Sequence, residues 1–195
     1  MLLQQLLQDM VADSQRAGEV IRGIRSLVRK ETSAHTLLNL NEVITDTVRL
    51  VSTDVLSRES VVTTELDPQL PQVSATLVQI QQVLLNLIIN ALDAMEGLPP
   101  AERRVIVITR SDTGDIVEIS VRDFGTGLPK DQPDKVFDHF FSTKQKGMGM
   151  GLTIVRSIIE AHGGTIMAEN APERGARMIV RLPAVRGQTQ AIAAA

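Results

Sequence analysis

The sequence has no cysteine, no tryptophan and no tyrosine, and only four phenylalanines. The absence of cysteine excludes disulfides and thiolate metal sites, and it fits a reducing, cytoplasmic compartment. So few aromatics leave no platform on which nucleic-acid bases would stack. Twenty Lys and Arg are spread among 23 Asp and Glu, for a formal net charge of −3. There is no basic stripe, so no nucleic-acid partner is expected. Three histidines, His35, His139 and His162, stand too far apart in the chain to suggest a zinc site. No uninterrupted apolar run approaches the ~18–20 residues of a membrane span. The first apolar stretch is broken by Gln and Asp, so no signal peptide and no membrane contact by this chain are expected. A longer parent protein attached to a membrane remains compatible with that. Internal repeats are also missing.

What is present suits one ordinary domain with a helical extension: 195 residues, 43% of them hydrophobic. Residues 2–31 read as one long helix. Leu3, Met10, Ala17 and Ile24 recur every seven residues, and the rows through Leu6 and Leu7 widen the stripe. That breadth is the pattern of a bundle helix, which predicts an intermolecular bundle and a homodimer through residues 2–31. Residues 32–40 read as a linker. Asn41 is expected to cap a helix running to about Leu56, with Ile44, Val48, Val51 and Val55 on one face. Ser60–Leu66 reads as a strand and Thr76 to about Glu96 as a long helix, stopped by Gly97 and Pro99-Pro100. Arg104–Arg110 and Asp115–Arg122 alternate as paired strands around Asp112-Thr113-Gly114. After a loop-rich stretch come a helix over Gly151–His162 and a closing hairpin, Thr165–Glu169 with Arg177–Leu182. The sum is an α+β fold. It is a two-layer α/β sandwich with an antiparallel-rich sheet of about five strands and three helices on one face, preceded by the bundle-forming helix. The expected divisions are residues 1–33, 34–186 and a flexible tail, 187–195.

Four segments carry candidate chemistry. On the 76–96 helix, Gln82, Asn86, Asn90 and Asp93 fall at steps of four, four and three, and so share one face. They make either a solvated polar face or a set of hard oxygen ligands suited to Mg²⁺. Asp123-Phe124-Gly125-Thr126-Gly127 ends a strand and is either a plain turn or a carboxylate poised for an exocyclic amine such as that of adenine. Three of the four phenylalanines lie within Val136–Lys144, either stapling that loop or anchoring a mobile lid. Gly147-Met148-Gly149-Met150-Gly151-Leu152 opens a helix, where exposed N–H groups and the helix dipole favour anions. Lys144 and Lys146 stand just before it. A Rossmann fingerprint would follow a strand, and this one follows a lid-like loop.

In that order, with Gly163-Gly164 and Gly175-Ala176 behind them, these segments resemble the Bergerat nucleotide-binding fold shared by histidine kinases, gyrase, Hsp90 and MutL. The resemblance covers roughly residues 40–184. It implies ATP and Mg²⁺ as cofactors. It also implies that Asn90 binds the metal, that Asn86 contacts nucleotide or its phosphates, and that Asp123 reads the adenine within a pocket shaped by Gly125 and Gly127. Asp93, Thr143, Lys144, Gly147, Gly149, Gly151 and Leu152 complete the expected nucleotide-binding set. Gln15–Arg22, Phe141-Ser142-Thr143-Lys144 and Ile159–Gly164 are similar to segments of bacterial sensor histidine kinases of the FixL, NtrB and TodS type. Residues 15–22 match the second helix of their dimerisation domain.

Such kinases transfer the ATP γ-phosphoryl group to a dimerisation-domain histidine and pass it on to a response regulator receiver domain. No phosphoacceptor histidine is evident here. His35 lies in the linker with no acid after it, His139 reads as a loop residue, and His162 sits at a helix C-terminus favoured by the dipole. The chain is therefore expected to be a fragment, or a kinase lacking half of its bundle, with the accepting histidine supplied in cis or in trans. The alternative is a nucleotide-binding regulatory domain or an anti-sigma-type serine kinase of the same fold, which would need no bundle helix.

Overall fold

A computed structural model describes residues 34–111, 114–129, 133–138 and 150–185. All lie in the second of the two units into which the chain divides, Ala34–Ala195. The helix expected over residues 2–31, His139, Thr143, Lys144, Gly147, Gly149 and the tail 187–195 lie outside the described residues.

The elements in order are β1 (Thr36–Leu38), α1 (Leu40–Leu50), α2 (Ser52–Ser57), β2 (Val61–Glu65), β3 (Val73–Ala75), α3 (Leu77–Ala94), β4 (Arg104–Arg110), β5 (Ile116–Arg122), α4 (Gly151–Ala161), β6 (Thr165–Asn170) and β7 (Ala176–Pro183). Short 3-10 turns lie at Pro100–Glu102 and Pro133–Phe137. Five strands form one sheet in the order β2-β4-β5-β7-β6, and β1 and β3 form a separate pair. The sheet is antiparallel except for β2 and β4, which run parallel from Val61 opposite Arg104 to Glu65 opposite Ile108. A parallel pair needs a crossover, and α3 lies within it.

Alternation decides which face of the sheet is covered. Val105 and Val107 of β4, Val117, Ile119 and Val121 of β5, and Val180 and Leu182 of β7 are buried. They share one core with Ile44 of α1, Ile80, Leu84, Leu87 and Ile88 of α3, and Val155 and Ile159 of α4. Burying each of the larger of these side chains contributes roughly 1.5–3 kcal/mol. By length and mean hydropathy alone α3 could pass for a membrane span, but Gln, Asn and Asp interrupt its apolar residues and its row of fully buried Leu and Ile makes it the core helix of the domain.

Three local expectations are corrected. The 32–40 stretch is not only a linker, because Thr36–Leu38 pairs with Val73–Ala75. The first helix is capped by Asn39 rather than Asn41. The Asn39 side chain accepts from the Asn41 N–H at 3.1 Å and donates to Glu42 at 2.9 Å, satisfying the first turn. Asn41 is inside the helix. There its amide donates to the Asp67 carbonyl (2.7 Å) and accepts from the Thr109 hydroxyl (3.0 Å), fastening α1 to the end of β2 and to β4. The helix also stops at Val51, whose backbone N–H closes α1 onto Thr47 and whose buried residue also begins the short α2.

Candidate nucleotide site

The Asn-bearing helix and the glycine-led helix lie antiparallel. An ideal Cβ on Gly151, the first residue of α4, would stand 3.8 Å from the Asn90 amide nitrogen and 3.9 Å from the Asn86 amide oxygen. Two residues one turn apart on α3 thus present carboxamides to the start of a second helix, as their spacing predicts. Met150 caps α4 without any side-chain bond to the first turn. The first-turn N–H groups and the positive end of the dipole are therefore available to an anion beside the two amides. Leu152 packs against the core. Thr153 donates to the Phe137 carbonyl at 3.2 Å, holding the start of α4 against the 133–137 turn. Phe137 is buried under the Arg156 guanidinium, which supports the stapling role for that phenylalanine.

Asp93 lies on the same helix as the amides and is ion-paired with Arg58 at 2.5 Å, so the end of α2 holds it. Among the described residues no group of three or more His, Cys, Asp or Glu is placed to hold a metal ion. A divalent ion at this site would rest on carboxamide oxygen, water and phosphate. That is the donor set Mg²⁺ accepts.

Asp123 follows β5 and is only 6% exposed. Its Oδ1 accepts from the Gly125 N–H at 2.8 Å and from the Ala176 N–H at 3.2 Å. Both bonds fall on one oxygen, which leaves Oδ2 for a ligand donor. Burial pushes the carboxyl above its ordinary range. The two backbone N–H groups and the Arg122 charge oppose that shift but do not cancel it.

The glycines around Asp123 are fixed by close approach. A Cβ on Gly125 would meet the Ala94 carbonyl oxygen at 2.4 Å. The neighbouring Thr126 N–H donates to that same carbonyl at 3.3 Å, so the loop is seated on the end of α3. Gly127 has φ +76, and a side chain there would meet Asn170 at 2.7 Å. Asn170 accepts from the Leu128 N–H at 2.7 Å and pins the outgoing loop to the end of β6. Neither Asn170 nor the Ala176 N–H stands out in the sequence. The first is one polar residue at a strand end, and the second is a backbone group.

Over residues 75–186 the chain matches the family model for histidine kinase-, DNA gyrase B- and HSP90-like ATPases. It is 40% identical over 170 residues to the sensor protein TdiS of Thauera aromatica, covering 86% of this chain and 31% of TdiS. It is 39% identical over 185 residues to the sensor histidine kinase ZraS of Klebsiella oxytoca, covering 94% of this chain and 39% of ZraS. FixL of Bradyrhizobium diazoefficiens is 40% identical over 170 residues, covering 87% of this chain and 33% of FixL. The chain thus spans about a third of the length of the curated relatives it matches. The nucleotide-free catalytic domain of histidine kinase ThkA superposes with a TM-score of 0.67 at 33% identity, covering 77% of this chain and 95% of that one. ThkA in complex with the response regulator protein TrrA gives a TM-score of 0.77 at 27% identity, covering 94% of this chain and 52% of that one. These relatives are sensor histidine kinases, not serine kinases of the anti-sigma kind. The chain belongs to the family of histidine kinase-, DNA gyrase B- and HSP90-like ATPases, and it carries the ATP-binding catalytic domain of the sensor histidine kinases.

Proposed function

We propose that this domain binds Mg²⁺-ATP between α3 and the start of α4 and presents the γ-phosphoryl group to a histidine of a dimerisation domain, supplied in cis or in trans. The observation that carries this reading is the pairing of Asn86 and Asn90 with the uncapped start of α4, close to a buried carboxylate with one oxygen uncommitted. Asp123 Oδ2 accepts from the adenine amine, and Gly125 and Gly127 keep the pocket floor at backbone height. Asn90 offers its amide oxygen to the metal, and Asn86 turns its amide toward the phosphates. The N–H groups at Gly151 and Leu152 face the phosphate chain, while Thr143, Lys144, Gly147 and Gly149 border it. When bound, Mg²⁺ neutralises phosphate charge. Phosphoryl transfer depends mainly on such positioning and neutralisation, so the domain needs no nucleophile of its own. Residues 2–31 form the dimer contact, and a receiver domain takes the phosphoryl group onward.

The test adds labelled ATP to this chain, alone and mixed with a protein carrying the complete dimerisation domain. Acid-labile label is expected on the added protein only. Label on this chain itself would overturn the reading that the acceptor lies elsewhere. Asn90→Ala is expected to lower Mg²⁺-ATP affinity about tenfold while leaving adenosine binding unchanged, the loss of a single metal ligand. Equal Mg²⁺-ATP affinity in calorimetry would remove Asn90 from the site.

The raised Asp123 carboxyl gives a pH signature. A folded-state pKa above the unfolded one means the folded chain holds the proton more tightly. Asp123's contribution to stability therefore declines as pH rises from the ordinary carboxylate range through the raised value. Binding runs the other way, because the ionised oxygen is the stronger acceptor. Affinity for adenosine, which carries no titrating phosphate, is expected to fall on acidification at a pH above the ordinary carboxylate range. A profile flat down to that range would count against the adenine contact.

A further inference from the structure

His162 is the buried titratable group that the nucleotide reading leaves unused. It caps the C-terminus of α4 and is 6% exposed. Its Nδ1 lies 2.7 Å from the Ile158 carbonyl, and its Nε2 accepts the Thr76 N–H at 3.1 Å. A carbonyl can only accept and an amide N–H can only donate. These partners assign a neutral ring protonated on Nδ1. The dipole alone would favour a cation here, and the Thr76 N–H donor argues against it.

The ring is held rigidly. Gly163, at φ +70, bonds back to Glu160 (3.0 Å) and Gly164 to Ile159 (2.9 Å), a Schellman turn. A side chain on Gly164 would meet the Arg181 carbonyl at 2.3 Å, so the turn is wedged against β7. The exposed His35 ring stacks on the other side, 4.9 Å away and 11° from parallel.

Thr76 is the N-cap of α3. One imidazole therefore ties the end of α4 to the beginning of α3. At the opposite end of the same antiparallel pair, Asn86 and Asn90 meet Gly151. Fourteen residues of α3 separate Thr76 from Asn90, roughly 21 Å along the axis. Between the two ends the contact is apolar, made by residues such as Leu84, Leu87, Ile88, Val155 and Ile158. Apolar burial is non-directional and constrains sliding weakly, whereas two hydrogen bonds at one ring are directional.

We propose that His162 is a positioning residue of the nucleotide site: a neutral imidazole clamp that sets the lengthwise register of α3 against α4 and so fixes the gap between the two carboxamides and the α4 N-terminus. The proposal rests on the site reading above. It predicts a division between ligands. Mg²⁺-ATP spans the gap and feels the clamp; adenosine reaches only the Asp123 side and does not.

His162→Phe keeps the ring and its stacking on His35 but removes both nitrogens. His162→Gln restores an oxygen that can accept from Thr76. The measurement is calorimetric affinity at a temperature where circular dichroism shows each variant folded. His162→Phe is expected to bind Mg²⁺-ATP about tenfold more weakly, with His162→Gln within about threefold of the native chain, the usual span of a coupling between sites. Adenosine should bind all three alike. A general loss of stability would lower the melting temperature of both variants without that split or that rescue. Should His162→Phe fail to fold, Thr76→Pro removes the donor from the other side, at φ −89 after an extended residue, and the same tenfold loss is expected. Native Mg²⁺-ATP affinity in His162→Phe or in Thr76→Pro overturns the clamp. If Asn90→Ala also left that affinity unchanged, the site reading would be the one at fault.

Discussion

Asp123→Asn is expected to fold as the native chain does and to bind nucleotide about 100-fold more weakly, or roughly 2.7 kcal/mol. The two backbone donors decide the orientation of the new side chain. The Gly125 and Ala176 N–H groups both need an acceptor at the Oδ1 position, so the amide oxygen must stay there. The NH2 group is then forced into the Oδ2 position, where it confronts the amine of the adenine with a second donor. Removing a charge that burial disfavours costs the fold nothing. A melting temperature near the native value together with collapsed affinity is the expected pair of results. Affinity within threefold of native would remove Asp123 from the adenine contact. Asp123→Ala is the less informative change, because it also strands two buried N–H groups at about 1–3 kcal/mol each.

Gly125→Ala is expected to be a strongly disruptive single methyl at the site, although Gly125 does not have positive φ. The added Cβ would stand 2.4 Å from the Ala94 oxygen, 2.7 Å from its carbonyl carbon and 2.9 Å from its Cβ. These are mostly backbone atoms at the end of α3, which cannot rotate away. Either the loop lifts off the helix or the helix end retreats. Overpacking of this kind costs about 3 kcal/mol, a fall in melting temperature of roughly 6–12 °C. Nucleotide affinity should fall with it, since α3 also carries Asn86 and Asn90. Gly97→Ala supplies the control: nothing lies within 4 Å of its Cβ position. Its stability should change by no more than about 0.5 kcal/mol. Equal melting temperatures for the two variants would mean that the loop does not bear on the helix as described.

Elements with a long period were legible from the residues. Alternation over Arg104–Arg110 and Ile116–Arg122 marked both central strands, and the four-residue steps of Gln82, Asn86 and Asn90 marked the polar side of α3. Strands β1 and β3, three residues each, are too short for a period to show. The choice between Asn39 and Asn41 as cap could not be made locally, because both are good capping residues. It is made by Asp67 and Thr109, which lie 26 and 68 residues away from Asn41. The site divides in the same way. The side chains proposed to meet the ligand belong to motifs readable in the sequence. The groups that aim them do not: the Ala176 N–H, the Asn170 amide, the Arg58 charge on Asp93 and the Thr76 N–H on His162 all belong to distant parts of the chain.

The strand order has a consequence for a chain still being made. β7 is synthesised last of all the strands, yet it lies between β5 and β6. Until it arrives, β5 is an open edge that offers unpaired backbone groups to any neighbouring chain. Asp123 also lacks one of its two donors until Ala176, 53 residues later, has left the ribosome. The carboxylate of the proposed adenine contact and the last strand are thus completed together. During synthesis the β5 edge, like the unpaired β6, is a place where holding chaperones have something to protect.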